Sequence, residues 1–230
     1  MKHCWIRRDN TEEVLAVFLG WGADGRCLSQ MPVAPCDVIA FYDYADFHTE
    51  VDLSWSMGVF NAEYFLSANG ITPRNLTAIA GTGRCIDDAE GLAVSVVDAT
   101  YNNVSAPSLR KFAMRMCGGR EGYVASMPML SERDAENQKN ELGAIMQRYA
   151  HRDNVATLTW DKAYITSSDL IFMPENQRRY WQNRAKKIIE IDCPHFPFLV
   201  IRSCSKMYRT ISSCSFFGGS GICIARASSL

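Results

Sequence analysis

The residues with the clearest chemical potential are Ser54-Trp55-Ser56-Met57-Gly58, at the end of the alternating run Val51-Asp52-Leu53. The pentapeptide reads as a nucleophile elbow, the strand–turn–helix corner that holds a serine hydroxyl out over a parallel sheet. A free serine is a weak nucleophile. It needs a base for its proton, a third group to orient that base, and donors for the oxyanion that forms on attack. The pattern departs from G-x-S-x-G at its first position, where Ser54 stands in place of glycine. A small residue suits that position because helix and strand pack closely around a strained turn. Taken alone, the pentapeptide could also be an ordinary strand-to-helix turn.

The base comes from a short roll: the chain has 4 histidines. His3 lies in the terminal segment, His48 precedes the elbow, and His151 sits in a connection before a strand; each reads as a surface or core histidine. His195, in Asp192-Cys193-Pro194-His195-Phe196-Pro197-Phe198, follows the last strand expected. The order serine, acid, histidine is that of an α/β-hydrolase, whose histidine sits in the loop after the final strand. The acid then belongs in Ser167-Ser168-Asp169-Leu170-Ile171, where Asp169 is the carboxylate available before Glu175. Asp87, Asp88 and Asp98 are reserve candidates. For the oxyanion, the amide of Met57 directly follows the nucleophile. A second amide is expected from Gly20-Trp21-Gly22, with Trp21 as the donor and the glycines free to turn the backbone inward. Trp21 and Trp55 would also wall a substrate channel, unless they simply pack the core.

These residues need a sheet to hold them. Val14–Leu19 and Asp37–Tyr42 are continuous apolar runs, as in strands buried on both faces. Val51–Trp55, Leu76–Ala80, Lys162–Thr166 and Ile188–Ile191 are the further strand candidates. A helix is expected from Met57 to about Ala68, stopped by Asn69-Gly70. Strands alternating with helices imply a mostly parallel α/β sheet. Apolar residues at 109, 112, 113 and 116 mark one helical face, and Ser131–Tyr149 reads as a second, more polar helix. A helical insertion after the fourth of these strands, about 104–150, is where an α/β-hydrolase carries its lid.

Composition sets the outer bounds. The chain has 230 residues, 47% apolar and 21% charged, which fits one domain with a sizeable core over 1–230. A net charge of −1 leaves no electrostatic footprint for nucleic acid. No apolar run is long enough for a membrane span, and the start of the chain lacks a signal-peptide core, so a cytoplasmic protein is expected. The nine cysteines are odd in number and scattered, without a CxxC pair, which argues against zinc and disulfides and for reduced thiols. Residues 199–230 differ in character: they hold eight Ser, three Cys and four Arg or Lys but no Asp or Glu. That stretch reads either as an unusual natural tail or as a frame-shifted one, with no convincing amphipathic helix.

A wider set of segments is similar to the short BioG-type pimeloyl-[acyl-carrier-protein] methyl ester esterases. They are Phe18-Leu19-Gly20-Trp21-Gly22, Tyr42-Asp43-Tyr44, Trp55-Ser56-Met57-Gly58-Val59 and Ala80-Gly81-Thr82-Gly83. Phe112 with Arg115-Met116-Cys117, Asp169-Leu170-Ile171 with Asn176-Gln177 and Tyr180-Trp181, and Pro194–Phe198 complete the set. The resemblance covers about residues 5–198; the tail beyond Phe198 does not match the family's closing helix. It implies an α/β-hydrolase fold and a serine esterase of biotin biosynthesis, with Ser56, His195 and Asp169 as its triad and no metal or organic cofactor. Trp21, Trp55, Phe112 and Met116 would line the acyl channel. The partner implied is an acidic acyl carrier protein, which Arg110, Lys111, Arg115, Arg178 and Arg179, with Arg184 nearby, would dock by charge. A generic short-chain carboxylesterase, or an inactive scaffold that only binds an acyl chain or partner, would share the same fold.

Overall fold

The computed structural model describes residues 1–11, 14–31, 36–45, 54–71, 73, 76–155 and 158–203. Strands β1 (Lys2–Arg7), β2 (Val14–Phe18), β3 (Asp37–Tyr42), β4 (Ser54–Trp55), β5 (Thr77–Ile79), β6 (Trp160–Thr166) and β7 (Ala185–Ile191) form one sheet. Their order is β1-β3-β2-β4-β5-β6-β7. Every neighbouring pair is parallel except β1 with β3, which is antiparallel. β2 and β3 sit inside the sheet and bury both faces, as their unbroken apolar runs require. Of the expected elbow strand, Ser54 and Trp55 are described; Val51–Leu53 lie outside the described residues, as does His48.

β1 is an addition to the six strands expected from sequence. Lys2-His3-Cys4-Trp5-Ile6-Arg7 lacks the apolar run of its neighbours because it is an edge strand, pairing on one side and largely exposed.

Helix α1 (Gly58–Asn69) follows β4 and stops at Gly70, whose φ of 63° gives the left-handed cap that Asn69-Gly70 signalled. Four helices lie between β5 and β6: α2 (Val94–Asn102), α3 (Ala106–Met116), α4 (Arg120–Ser126) and α5 (Ala135–Ala150). α3 starts with a capping box between Ser105 and Ser108, with Pro107 in its first turn. α5 starts at Asp134, whose carboxylate accepts the Asn137 N–H at 2.8 Å, four residues into the stretch expected to be helical. α2 and α4 escaped the sequence reading. α2 is rich in β-branched residues and buries Val97 alone, so it carries neither high propensity nor a strong stripe. α6 (Pro174–Trp181) and α7 (Phe198–Ser203) complete the elements. α7 occupies the first residues of the acid-free stretch; residues 204–230 lie outside the described set.

The core spans both faces of the sheet, with Trp160, Trp181, Phe18, Phe41, Phe60 and Phe172 fully enclosed. Among the described residues no helix is long and apolar enough to cross a membrane, and no cluster of His, Cys, Asp and Glu has the arrangement of a metal site. Cys4, Cys27, Cys36, Cys85, Cys117 and Cys193 are free thiols.

One buried acid lies apart from the elbow. Glu63 on α1 accepts hydrogen bonds from Trp160 Nε1 at 2.7 Å and the Tyr180 hydroxyl at 3.1 Å. Burial outweighs those donors and raises its pKa from 4.5 to about 7. The folded chain thus holds a proton that the unfolded chain releases near pH 4.5. Its stabilising contribution is complete below that value and is lost as pH rises through about 7. Glu63→Gln keeps an acceptor for Trp160 and cannot ionise. Urea unfolding at about pH 5 and about pH 8 is expected to show the wild-type chain losing on the order of 2–3 kcal/mol more than the variant.

Candidate active site

The site is built around one turn. β4 runs into Ser56, whose φ of 60° lies in the left-handed region, and α1 begins two residues later at Gly58. A non-glycine residue held there is strained, and the surroundings must hold it. The Ser56 N–H donates to Ile79 O at 3.0 Å, and Ser56 O accepts from the Val59 N–H at 3.1 Å. Three glycines give the corner its room. A Cβ on Gly58 would lie 2.6 Å from Phe18 O, one on Gly81 2.2 Å from Ser56 O, and one on Gly20 2.8 Å from Ser56 Cβ. Ser54 is tolerated where the pattern has glycine, fully enclosed, with its hydroxyl lacking a hydrogen-bond partner among the described residues.

Against this corner the structure brings the two residues that sequence order selected. His195 Nε2 is 2.9 Å from Ser56 Oγ, and His195 Nδ1 is 2.8 Å from Asp169 Oδ2. Ser56, His195 and Asp169 are 6%, 1% and 2% exposed, so the relay is shielded from bulk water while the hydroxyl borders a cavity. The imidazole lies between rings: Phe172 stacks on it at 5.9 Å, and Trp55 sits at 5.5 Å. Trp55 Nε1 also donates to His195 O at 3.1 Å, fixing the loop that carries the ring.

Asp169 is held by more than its loop position. Its Oδ1 accepts the Ile171 and Phe172 N–H groups at 2.8 and 2.9 Å. Its Oδ2 accepts from Thr166 Oγ1 at 2.8 Å and Gln177 Nε2 at 3.1 Å, beside His195. These four donors leave the carboxylate one orientation, with Oδ2 turned towards His195. Thr166 and Gln177 are supporting residues that the sequence reading gave no role. The i+8 spacing of Gln177 from Asp169 becomes a contact because α6 folds back over the loop.

Of the remaining candidates, Asp88 borders the cavity over Ser56 and the others are placed elsewhere. Asp87 Oδ1 accepts the Ala89 and Glu90 amides, Asp88 Oδ1 accepts the Val94 amide, and Asp98 lies on α2. Asp87 and Asp88 thus cap turns. His3 lies on β1 beside the Phe41 ring, and the His151 ring bonds to Gln147 O.

Gly20–Ala23 form a turn closed by the Ala23 N–H to Gly20 O at 3.1 Å, with Gly22 at φ 75°. The turn passes against Ser56, as the close approach of Gly20 shows. Met57 is the N-cap of α1, so its amide lies at the positive end of that helix. Gln138 and Glu141, from α5, also bond to the turn; neither was singled out from sequence.

A cavity of about 420 Å³ opens over Ser56 and His195, and Trp21, Trp55, Phe112 and Met116 all line it. Its rim carries the exposed side chains of Val96, Leu170 and Met173, together with Arg115. A second cavity of about 360 Å³ lies behind the same four residues and extends to Arg110. Trp21 and Phe112 meet edge to face at 5.1 Å in the wall between them. Lys111 is exposed on α3 beside Arg110 and Arg115. The arginines on α6 and just after it differ. Arg178 pairs with Glu190 and Glu175, Arg179 bonds to Ala89 O and Asn176, and Arg184 pairs with Glu90.

A serine, a histidine and a buried acid in this order and geometry can perform acyl transfer through a covalent intermediate. Comparison with known proteins bears on which acyl group. The family described as pimeloyl-ACP methyl esterase BioG matches residues 1–205. The chain belongs to the BioG family. It is therefore grouped with carboxylic ester hydrolases, and the match extends past Phe198, through α7, into the first part of the acid-free stretch. A solved structure of BioG from Haemophilus influenzae superposes with a TM-score of 0.79 at 28% identity, over 87% of this chain and 96% of that one. A Bacteroides fragilis (strain 638R) relative named malonyl-[acyl-carrier protein] O-methyltransferase is 32% identical over 201 residues. That match takes in 83% of this chain, which spans 41% of the relative's length. An enol-lactonase from Burkholderia xenovorans LB400 shares the fold, at a TM-score of 0.61 and 13% identity over 91% of this chain and 94% of that one.

The wall between the two cavities gives a test of the pocket. Phe112→Ala removes the ring that meets Trp21 and joins the spaces. The rate ratio for a butyl over a methyl ester of the same acid is expected to rise roughly tenfold. An unchanged ratio would show that Phe112 does not bound the reacting ester.

Proposed function

We propose that this chain hydrolyses the methyl ester of pimeloyl-[acyl-carrier protein] methyl ester, giving pimeloyl-[acyl-carrier protein] and methanol in biotin synthesis. The observation that carries this reading is the buried Asp169–His195–Ser56 relay in a chain of the BioG family. Ser56 Oγ attacks the ester carbonyl while His195 Nε2 takes its proton. Asp169 holds the Nδ1–H tautomer and stabilises the imidazolium. The oxyanion is received by the Met57 and Trp21 amides. Collapse breaks the bond to the methoxy oxygen, which leaves as methanol with the proton from His195. Water then attacks the acyl-enzyme, with His195 again the base, and Ser56 is regenerated.

The apolar cavity suits an aliphatic chain entered methyl-ester first, with the thioester and carrier left outside. Exposed Arg110, Lys111 and Arg115 on α3 support docking of an acidic carrier at the mouth. Arg178, Arg179 and Arg184, none of which lines that cavity, are kept in this reading as secondary contacts. Carboxylates oppose Arg178 and Arg184, and neighbouring oxygens occupy Arg179. The name of the Bacteroides fragilis relative adds support. A methyltransferase acting on a carrier-bound acyl group would make an ester of the kind that this chain is proposed to cleave.

The test is methanol release from methyl-pimeloyl carrier protein by the purified chain and its variants. Ser56→Ala and His195→Ala are expected to abolish turnover with the fold intact, and Asp169→Asn to lower kcat by about 10⁴-fold, as the same change does in a serine-protease triad. Labelling of Ser56 by a fluorophosphonate without methanol release would point to another ester. Neither labelling nor release would indicate a scaffold without catalysis.

A further inference from the structure

The oxyanion turn is gripped at every residue from Leu19 to Ala23 except Gly20, which lies against Ser56 and accepts the turn-closing Ala23 N–H, and three of the four grips come from one segment. The Trp21 indole N–H donates to Gln138 O at 2.7 Å, and the Gly22 N–H donates to Glu141 Oε2 at 2.9 Å. Arg133 Nη1 donates to Ala23 O at 2.9 Å, and the Tyr44 hydroxyl donates to Leu19 O at 2.6 Å. Glu141 is the hub. It is fully enclosed, its Oε1 accepts the Tyr44 N–H at 3.0 Å, and its Oε2 also accepts from Arg133 Nη1 at 2.9 Å. One carboxylate thus ties the loop after β2 to the loop after β3, with α5 as the anchor. Arg133 faces both Glu141 and Asp43 at 2.9 and 3.1 Å, and Lys2 pairs with Asp43 at 2.7 Å, which balances the enclosed charge. Two backbone N–H groups and one guanidinium N–H converge on the enclosed carboxylate and hold it in one orientation.

We propose that Glu141 is a positioning residue for the oxyanion hole. By holding the Gly22 N–H it fixes the peptide joining Trp21 to Gly22, and hence the direction of the neighbouring Trp21 amide towards the oxygen that forms on the substrate. The inference rests on the reading of Trp21 as an oxyanion donor. Two features of the turn agree with it. Gly22 sits at φ 75°, where side chains are strained, and a Cβ there would lie 2.4 Å from Gln138 Oε1. The turn therefore has one conformation, and α5 sets it. A preorganised donor acts only on the charge that develops during reaction, so its loss falls on kcat more than on KM.

The test measures p-nitrophenyl butyrate hydrolysis per site labelled by a fluorophosphonate, and inhibition by butylboronic acid, whose tetrahedral adduct mimics the intermediate. Glu141→Gln replaces one acceptor by an NH₂ that faces an N–H donor. Its kcat per labelled site is expected to fall about 10- to 100-fold, with KM within about threefold. The boronate inhibition constant is expected to rise by the same factor as kcat falls. Glu141→Asp keeps the charge for Arg133 and shortens the reach by one methylene; it should shift both quantities in the same direction and serves if Glu141→Gln does not fold. A merely structural role would lower the fraction of labelled sites and leave kcat per site and boronate affinity at wild-type values, which would overturn the proposal. Hydrolysis persisting in Ser56→Ala would remove the proposed site itself, and this inference with it. Ser56-dependent hydrolysis unaffected by either Glu141 change would overturn the inference alone.

Discussion

The left-handed turn at Ser56 is the constraint on which the rest of the site depends. A serine at φ 60° is held because β5 accepts its amide through Ile79 O and α1 begins at once behind it. The space this requires explains glycines that are far apart in sequence. Gly20 and Gly81 follow β2 and β5 and Gly58 opens α1, and each faces Ser56 or the backbone at the end of β2 at a distance where no Cβ fits. The sheet order places β4 between β2 and β5, so the loops leaving all three strands crowd at the same edge.

Two buried carboxylates, Asp169 and Glu141, then organise the polar groups around Ser56. Asp169 gathers donors from Thr166, Ile171, Phe172, Gln177 and His195, and so fixes the imidazole. Glu141 gathers donors from Gly22, Tyr44 and Arg133, and so fixes the turn before the site. In both, backbone N–H groups that would otherwise be orphaned are satisfied by an acid, and the acid is held in one orientation by them. The result is a site whose polar geometry is set before substrate arrives, which is what stabilising a developing charge requires.

Aromatic packing couples this polar frame to the cavity. Trp55 touches His195, Phe196 and Phe198, so the residue beside Ser56 also seats the histidine loop and the start of α7. The Phe196 N–H donates to Met116 O at 3.0 Å, which ties that loop to the end of α3. The helices over the site are therefore joined to the His195 loop and the Gly20–Ala23 turn by hydrogen bonds from both α3 and α5, rather than resting on them by apolar contact alone.

The sequence by itself determined the pieces whose signals are local. The buried strands announced themselves as apolar runs, Gly70 as a helix stop, and the elbow as small residues around Ser56. Chain order alone separated His195 and Asp169 from the other histidines and aspartates, because a parallel sheet places the loops after β6 and β7 at the same edge as the elbow. What only the tertiary structure decided are the contacts between residues with no sequence relation. Edge strand β1 is legible only from its pairing with β3, α2 only from its place over the cavity, and the neutralised charge of Arg178 only from Glu190 across the β6–α6–β7 turn. The grip of Glu141 on Gly22, 119 residues away, belongs to the same class. A polar residue on a helix face reads as solvated until the fold shows which amides it meets, and hydrogen bonds depend on position and angle that no spacing along the chain encodes.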